Sequence, residues 1–138
     1  MTSVRNRILP DQPDPIVLSE ALSADVVIVG AGFAGLSAAR RLQQIDPALD
    51  VVVLEACRLA DSSAGRNSGF MIDLPHELNS EDYAGAGDDQ AVTTLNRRAI
   101  SFAAGAVEDY GIDGNFFDRA GKVNGAASPK AVAHNSSY

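Results

Sequence analysis

Four β-branched residues in a row, Val26-Val27-Ile28-Val29, followed at once by Gly30, form the first regular element of the chain. An unbroken apolar run of this length, closed by glycine, predicts a strand buried on both faces, as in a parallel sheet. From Ala34 to Ile45 the pattern turns helical, rich in Ala and Leu with good helix formers at Arg40, Arg41, Gln43 and Gln44, and Pro47 stops it. Val51-Val52-Val53-Leu54 then repeats the strand pattern. Strand, helix and strand within about 30 residues predict a βαβ unit, whose crossover is right-handed in about 98% of cases.

Outside this unit the pattern is weaker. Residues 1–24 carry Pro10, Pro13 and Pro15 and no sustained periodicity, which predicts an irregular lead-in. Residues 61–69 are small, polar and turn-prone, so a loop is expected there. Phe70-Met71-Ile72 suits a short strand, and residues 79–89, with Gly85, Gly87 and Asp88-Asp89, suit another loop. Val92, Leu95, Ala99, Phe102, Ala106 and Tyr110 recur at steps of three and four, marking the apolar face of a longer helix that Gly111 would cap. Such a stripe is expected to be core. From Asp113 to Tyr138 the glycines and the polar end allow at most short strands around Phe116-Phe117 and Lys122-Val123.

Composition narrows the function classes. At 138 residues and 46% hydrophobic, the chain is in the range of one modest globular domain with a core that needs no disulfides. Its single cysteine, Cys57, fits a reducing compartment, and a cytoplasmic location is the expectation. A net charge of −7, with the basic residues scattered, argues against a nucleic-acid partner. No stretch approaches the roughly 18 consecutive apolar residues that would span a bilayer, so no membrane association is expected.

Gly30-Ala31-Gly32-Phe33-Ala34-Gly35 is a G-x-G-x-x-G placed between the first strand and the helix. In this position the glycines serve different ends. The first permits a tight turn, the second lets backbone approach a pyrophosphate, and the third lets helix and strand pack closely. Backbone N–H groups at the helix start and the positive end of the helix dipole then favour a diphosphate. Glu55 ends the second strand about 20 residues after Gly35, where a carboxylate accepts hydrogen bonds from ribose hydroxyls and disfavours a phosphate on that ribose. Strand, glycines, helix, strand and acid in this order point to an adenosine diphosphate ligand. They do not choose between FAD and NAD.

The segments Asp25–Leu36, Val51–Glu55 and Ala64-Gly65-Arg66-Asn67-Ser68-Gly69 together resemble the FAD-dependent amine and amino acid oxidases of the D-amino acid oxidase superfamily. The likeness is closest to the branch of γ-glutamylputrescine and glycine or sarcosine oxidases, and Gly121–Ala127 is also similar, though less specifically. The resemblance implies an α/β fold in which residues 25–138 form the N-terminal part, beginning with the βαβ, of a Rossmann-like FAD-binding domain. Carried over by position, Gly30, Gly32, Ala34 and Gly35 would face the diphosphate, Glu55 the adenosine ribose and Arg58 the adenine side. Ser63, Ala64, Arg66, Asn67 and Ser68 would line the diphosphate and the flavin end. Small residues let backbone donors approach an extended ligand there, and a guanidinium can hold a phosphate by paired hydrogen bonds. Some relatives bind flavin covalently through a histidine in this loop; none occurs between residues 55 and 75, which implies noncovalent FAD.

The remaining chemistry-bearing residues are assigned no role. His76 and Glu77 are adjacent, so on an extended segment they point to opposite faces, and His134 lies in a polar tail. Cys57 has no redox partner, and a metal site would need more ligands than the chain offers. Two parallel strands leave edges and faces unsatisfied, so the fold is expected to be incomplete without further chain, whether the remainder of the oxidase lies in the same polypeptide or in a separate subunit. The implied reaction is oxidation of a small amine or amino acid substrate by hydride transfer to flavin, followed by imine hydrolysis and peroxide formation. Substrate-holding residues would then lie elsewhere, and the isolated chain would be inactive. An NAD-binding fragment of a dehydrogenase and a non-catalytic nucleotide-binding subunit are the alternatives.

Overall fold

The computed structural model describes residues 14–74, 87–121, 123 and 125–136, which fall into two compact units divided after Gly69. The first unit contains strand β1 (Val26–Val29), helix α1 (Phe33–Ile45) and strand β2 (Val51–Leu54). The strands pair in parallel with Val26 opposite Val51 and Val29 opposite Leu54, and α1 packs against both. The predicted βαβ unit is therefore present, with helix and strand limits within a residue of those read from the pattern.

Local chemistry sets these limits. The Asp25 and Val26 N–H groups both donate to the Asp50 carbonyl, at 3.0 and 3.1 Å, while the Asp25 carboxylate accepts from the Asp50 N–H at 2.9 Å. The two strands thus enter the sheet already tied together. At the far end the Gly30 N–H donates to the Leu54 carbonyl at 2.7 Å, which carries the ladder one residue past β1. Helix α1 ends where Pro47 forbids continuation: the Asp46 N–H closes the last turn on Leu42, and the Asp46 side chain accepts from the Ala48 N–H at 3.0 Å.

The strands are not buried on both faces. Val26 and Ile28 are half-buried, but Val27 and Val29 on the opposite face are 54% and 85% exposed. A parallel strand is sheltered on both sides only when helices cover both faces, and α1 covers one. Among the described residues no hydrophobic side chain is fully buried. Residues 14–24 contain no helix or strand, and Ile16, Val17 and Leu22 stand largely exposed.

The second unit is built on helix α2 (Gly87–Asp109). Its end is a Schellman cap of the expected kind: Gly111 has φ +60°, its N–H donates to Glu108, and the Ile112 N–H reaches back to Val107 at 2.9 Å. Its buried face differs from expectation. Val92, Leu95 and Tyr110 are 42%, 67% and 63% exposed, whereas Thr93 is buried and Asn96, Ile100, Ala103 and Val107 are half-buried. The inward stripe is thus shifted by one residue, about 100° around the axis, with only Phe102 and Ala106 of the expected set partly covered. Two polar anchors explain the rotation: Asn96 Nδ2 donates to the Asp73 carbonyl at 3.1 Å, and Arg97 Nε pairs with the Asp73 carboxylate at 2.9 Å.

Several other expectations change here. Phe70-Met71-Ile72 forms no strand, and Phe70 is 82% exposed. Residues 87–89 belong to the first turn of α2 rather than to a loop. The rest of that expected loop lies outside the described residues, as do His76 and Glu77. Gly114–Phe116 is a single 3₁₀ turn, nucleated by the Asp113 carboxylate accepting from the Asn115 N–H at 2.9 Å, where a strand was expected. Val123 is 93% exposed and in no strand, while Lys122 lies outside the described residues. Finally, helix α3 (Pro129–Asn135) occupies part of the tail read as irregular. Its signal was legible: Ser128 caps the helix through its Oγ, which accepts from the Ala131 N–H at 3.2 Å, and Pro129 takes the first helical position.

Candidate functional site: the glycine turn and Glu55

The three glycines separate into distinct roles. Gly30 adopts φ +102°, a conformation that L side chains rarely hold, and makes the turn out of β1. A Cβ on Gly35 would overlap the Gly30 carbonyl oxygen and come within 3.3 Å of Ile28 Cγ2, so the third glycine is where helix and strand touch. A Cβ on Gly32 would meet nothing within 4 Å. Neither the turn nor the packing requires glycine there, and its missing side chain leaves open space at the mouth of α1.

Gly32 is the N-cap of α1 and has no side chain to cap with. The first intrahelical bond is from the Leu36 N–H to the Gly32 carbonyl at 3.0 Å, so the Phe33, Ala34 and Gly35 N–H groups precede the helical ladder. Three donors, the positive end of the helix dipole and an open approach make this an anion cradle. The Ala31 N–H does not contribute to it. That group donates to Glu55 Oε2 at 2.8 Å, across 24 residues of sequence.

Glu55 therefore does more than end β2. One carboxylate oxygen holds the glycine turn through Ala31, and the other accepts from the Cys57 N–H at 3.0 Å. The Ala31 hydrogen bond first, and the Cys57 hydrogen bond second, hold its carboxyl below the ordinary glutamate range. The group is exposed and ionised at neutral pH. The sequence pattern places an acid at this position; nothing in it reveals that the backbone of Ala31 is the partner.

The loop after β2 folds on itself. Ala60 sits at φ +62°. Ser63–Gly65 forms a 3₁₀ turn whose buried Gly65 packs so closely on Ala60 that a Cβ would overlap the Ala60 carbonyl oxygen and lie 2.8 Å from the Ala60 side chain. This contact was not foreseen, because a left-handed alanine has no sequence signature. Alanine at Gly65 should therefore destabilise the protein by about 1–3 kcal/mol, the usual cost of overpacking, as read by denaturant unfolding. Asn67 spans the far side of the loop: its Nδ2 donates to the Ala64 carbonyl at 2.7 Å and its Oδ1 accepts from the Gly69 N–H at 2.8 Å. Arg58, Ser63, Arg66 and Ser68 are exposed and Ala64 is half-buried. The structure thus joins Glu55 to the glycine turn and Asn67 to Ala64.

The open approach at Gly32, the three N–H donors and the adjacent carboxylate fit the diphosphate and ribose of an adenine dinucleotide. Comparison with known proteins agrees. Residues 25–136 match the family described as DAO, FAD dependent oxidoreductase. A probable oxidoreductase OrdL of Rhizobium meliloti is 29% identical over 115 residues, which is 78% of this chain and 25% of that protein. Gamma-glutamylputrescine oxidoreductase of Escherichia coli is 44% identical over 55 residues, 40% of this chain and 12% of that protein. A probable oxidoreductase OrdL of Haemophilus influenzae is 33% identical over 97 residues, 69% of this chain and 22% of that protein. The chain thus spans a quarter or less of the length of these relatives. No solved structure matches it significantly. Among the described residues no helix is long and apolar enough to cross a membrane. With its βαβ unit and glycine turn inside the matched region, the chain belongs to the DAO family of FAD-dependent oxidoreductases.

Proposed function

We propose that this chain holds FAD noncovalently within a larger oxidoreductase that oxidises a small amine or amino acid. The observation that carries the reading is the 2.8 Å bond from the Ala31 N–H to Glu55, which brings the end of β2 against a glycine turn whose mouth is free of side chains. The Phe33, Ala34 and Gly35 N–H groups would bind the diphosphate, with Gly30 and Gly32 giving the backbone its close approach. Glu55 would accept from the adenosine ribose, and Arg58 would stand on the adenine side. Ser63, Ala64, Arg66 and Ser68 would border the diphosphate and the flavin end, in a loop that also contains Asn67.

Bound FAD would supply the redox chemistry, a two-electron oxidation of an amine to an imine with oxygen as the electron acceptor. What this chain supplies is binding and orientation. A carboxylate fixed by two backbone donors is pre-organised to receive ribose hydroxyls, and it repels a phosphate on the same sugar. The amine reading is supported by similarity to a gamma-glutamylputrescine oxidoreductase.

Residues that hold the substrate would come from the rest of the oxidase, in the same chain or in a partner subunit. The exposed face of Val27 and Val29 supports this, since parallel sheets are covered on both sides. Purified alone, the chain is expected to release no peroxide with an amine. The whole protein is expected to purify yellow and to release its flavin into the supernatant on acid precipitation. Flavin that stayed with the precipitate would exclude noncovalent binding, and uptake of NAD in place of flavin would overturn the cofactor assignment.

A further inference from the structure

We infer that Asn67 is a positioning residue that shapes the 63–69 loop. Its effect on flavin binding rests on the reading above; its role in the loop does not. Both ends of its amide are engaged. Nδ2 donates to the Ala64 carbonyl at 2.7 Å and Oδ1 accepts from the Gly69 N–H at 2.8 Å. Because one partner only accepts and the other only donates, the orientation of the amide is fixed, and swinging the side chain toward a ligand would break the loop.

The surroundings make this brace consequential. Gly69, which it holds, lies at φ +84°. Ala64, at the other end, lies in the 3₁₀ turn that seats Gly65 against Ala60. One amide therefore links the closed half of the loop to its exit, and Arg66 and Ser68 hang on the span between. The usual replacements each fail one of these demands. Aspartate would set a carboxylate against the Ala64 carbonyl, serine is too short to bridge, and alanine offers neither group.

The test is Asn67→Ala in the whole protein, read by hydrogen exchange and by flavin titration. A brace predicts that exchange at the Gly69 amide accelerates by about tenfold or more with or without flavin. The Ala31 amide, held by Glu55, should stay protected and report that the βαβ unit remains folded. Flavin binding should weaken by about tenfold. Unchanged Gly69 exchange would overturn the inference. A wild-type protein that took up no flavin would defeat the cofactor reading, while the Gly69 exchange would still decide the brace.

Discussion

Alanine at Gly35 and alanine at Gly32 should fail in opposite ways. The methyl of Gly35→Ala would occupy the space of the Gly30 carbonyl oxygen, and a backbone carbonyl cannot rotate aside as a flexible side chain can. Overpacking typically costs about 1–3 kcal/mol, and a clash with backbone belongs at the upper end or beyond. Because typical domains are stable by only about 5–15 kcal/mol, the expected result is a large fall in melting temperature and loss of flavin together. Gly32→Ala places its methyl where nothing lies within 4 Å, so the melting temperature of the flavin-free protein should hardly change. Yet that methyl would stand at the mouth of α1, where the diphosphate is proposed to approach, and flavin uptake should fall by about a hundredfold or more, the effect of a steric block combined with lost N–H contacts. A Gly32→Ala protein that bound flavin normally would show that the turn is structural only. The contrast rests on spacing alone and requires no knowledge of the substrate.

Glu55→Gln carries the second large effect. A carboxylate accepts at both oxygens, and both are used, by Ala31 and by Cys57. An amide accepts at one end only, so its NH2 group must face one of these N–H donors, and either the glycine turn or the start of the following loop loses its tie. The substitution ordinarily regarded as conservative is therefore expected to weaken flavin binding by about tenfold or more, beyond any change in the ribose contacts. The pH dependence follows the same bonds. A carboxyl held below the ordinary glutamate range contributes fully above the unfolded value of about 4.3 and loses its contribution as pH falls through the lower folded value. Flavin titrations carried from neutral pH into the acid range should show affinity falling on the acid side for the wild type. Glu55→Gln should lack that component. A variant whose acid limb matched the wild type would remove Glu55 from the ribose and from the turn.

The parts of the fold that were legible from sequence are those in which local chemistry and tertiary structure agree. Two Val-rich runs, the glycine turn, the stop at Pro47 and the cap at Gly111 each follow from backbone or steric preferences that the surroundings do not override. The inward face of α2 was not legible, because Asn96 and Arg97 anchor to Asp73 and rotate the helix away from its apolar stripe. Periodicity counts methyl groups and does not see a carbonyl 23 residues earlier. Phe116 illustrates the same limit: an aromatic pair suits a strand, but the Asp113 side chain nucleates a 3₁₀ turn first. Helix α3 was legible in principle, through Ser128-Pro129, and was obscured by the polar composition around it.

The candidate site divides in the same way. G-x-G-x-x-G and the acid at the end of β2 stand out in the sequence because their spacing reflects the geometry of a crossover. The use of the Ala31 N–H by Glu55, the left-handed Ala60 under Gly65 and the double engagement of Asn67 involve main-chain atoms, which every residue carries and no sequence pattern marks. Assigning roles by residue type places Arg66, Asn67 and Ser68 together as a lining. The hydrogen bonds add that Asn67 also ties together the backbone of its own loop.

The most direct test of flavin binding at the glycine turn is a crystal structure of the whole protein loaded with its cofactor. The expected result is phosphate oxygens within hydrogen-bond distance of the Phe33, Ala34 and Gly35 N–H groups, ribose hydroxyls on Glu55, and the Ala31 to Glu55 bond retained. A diphosphate bound away from the start of α1, with Glu55 touching no sugar, would contradict it.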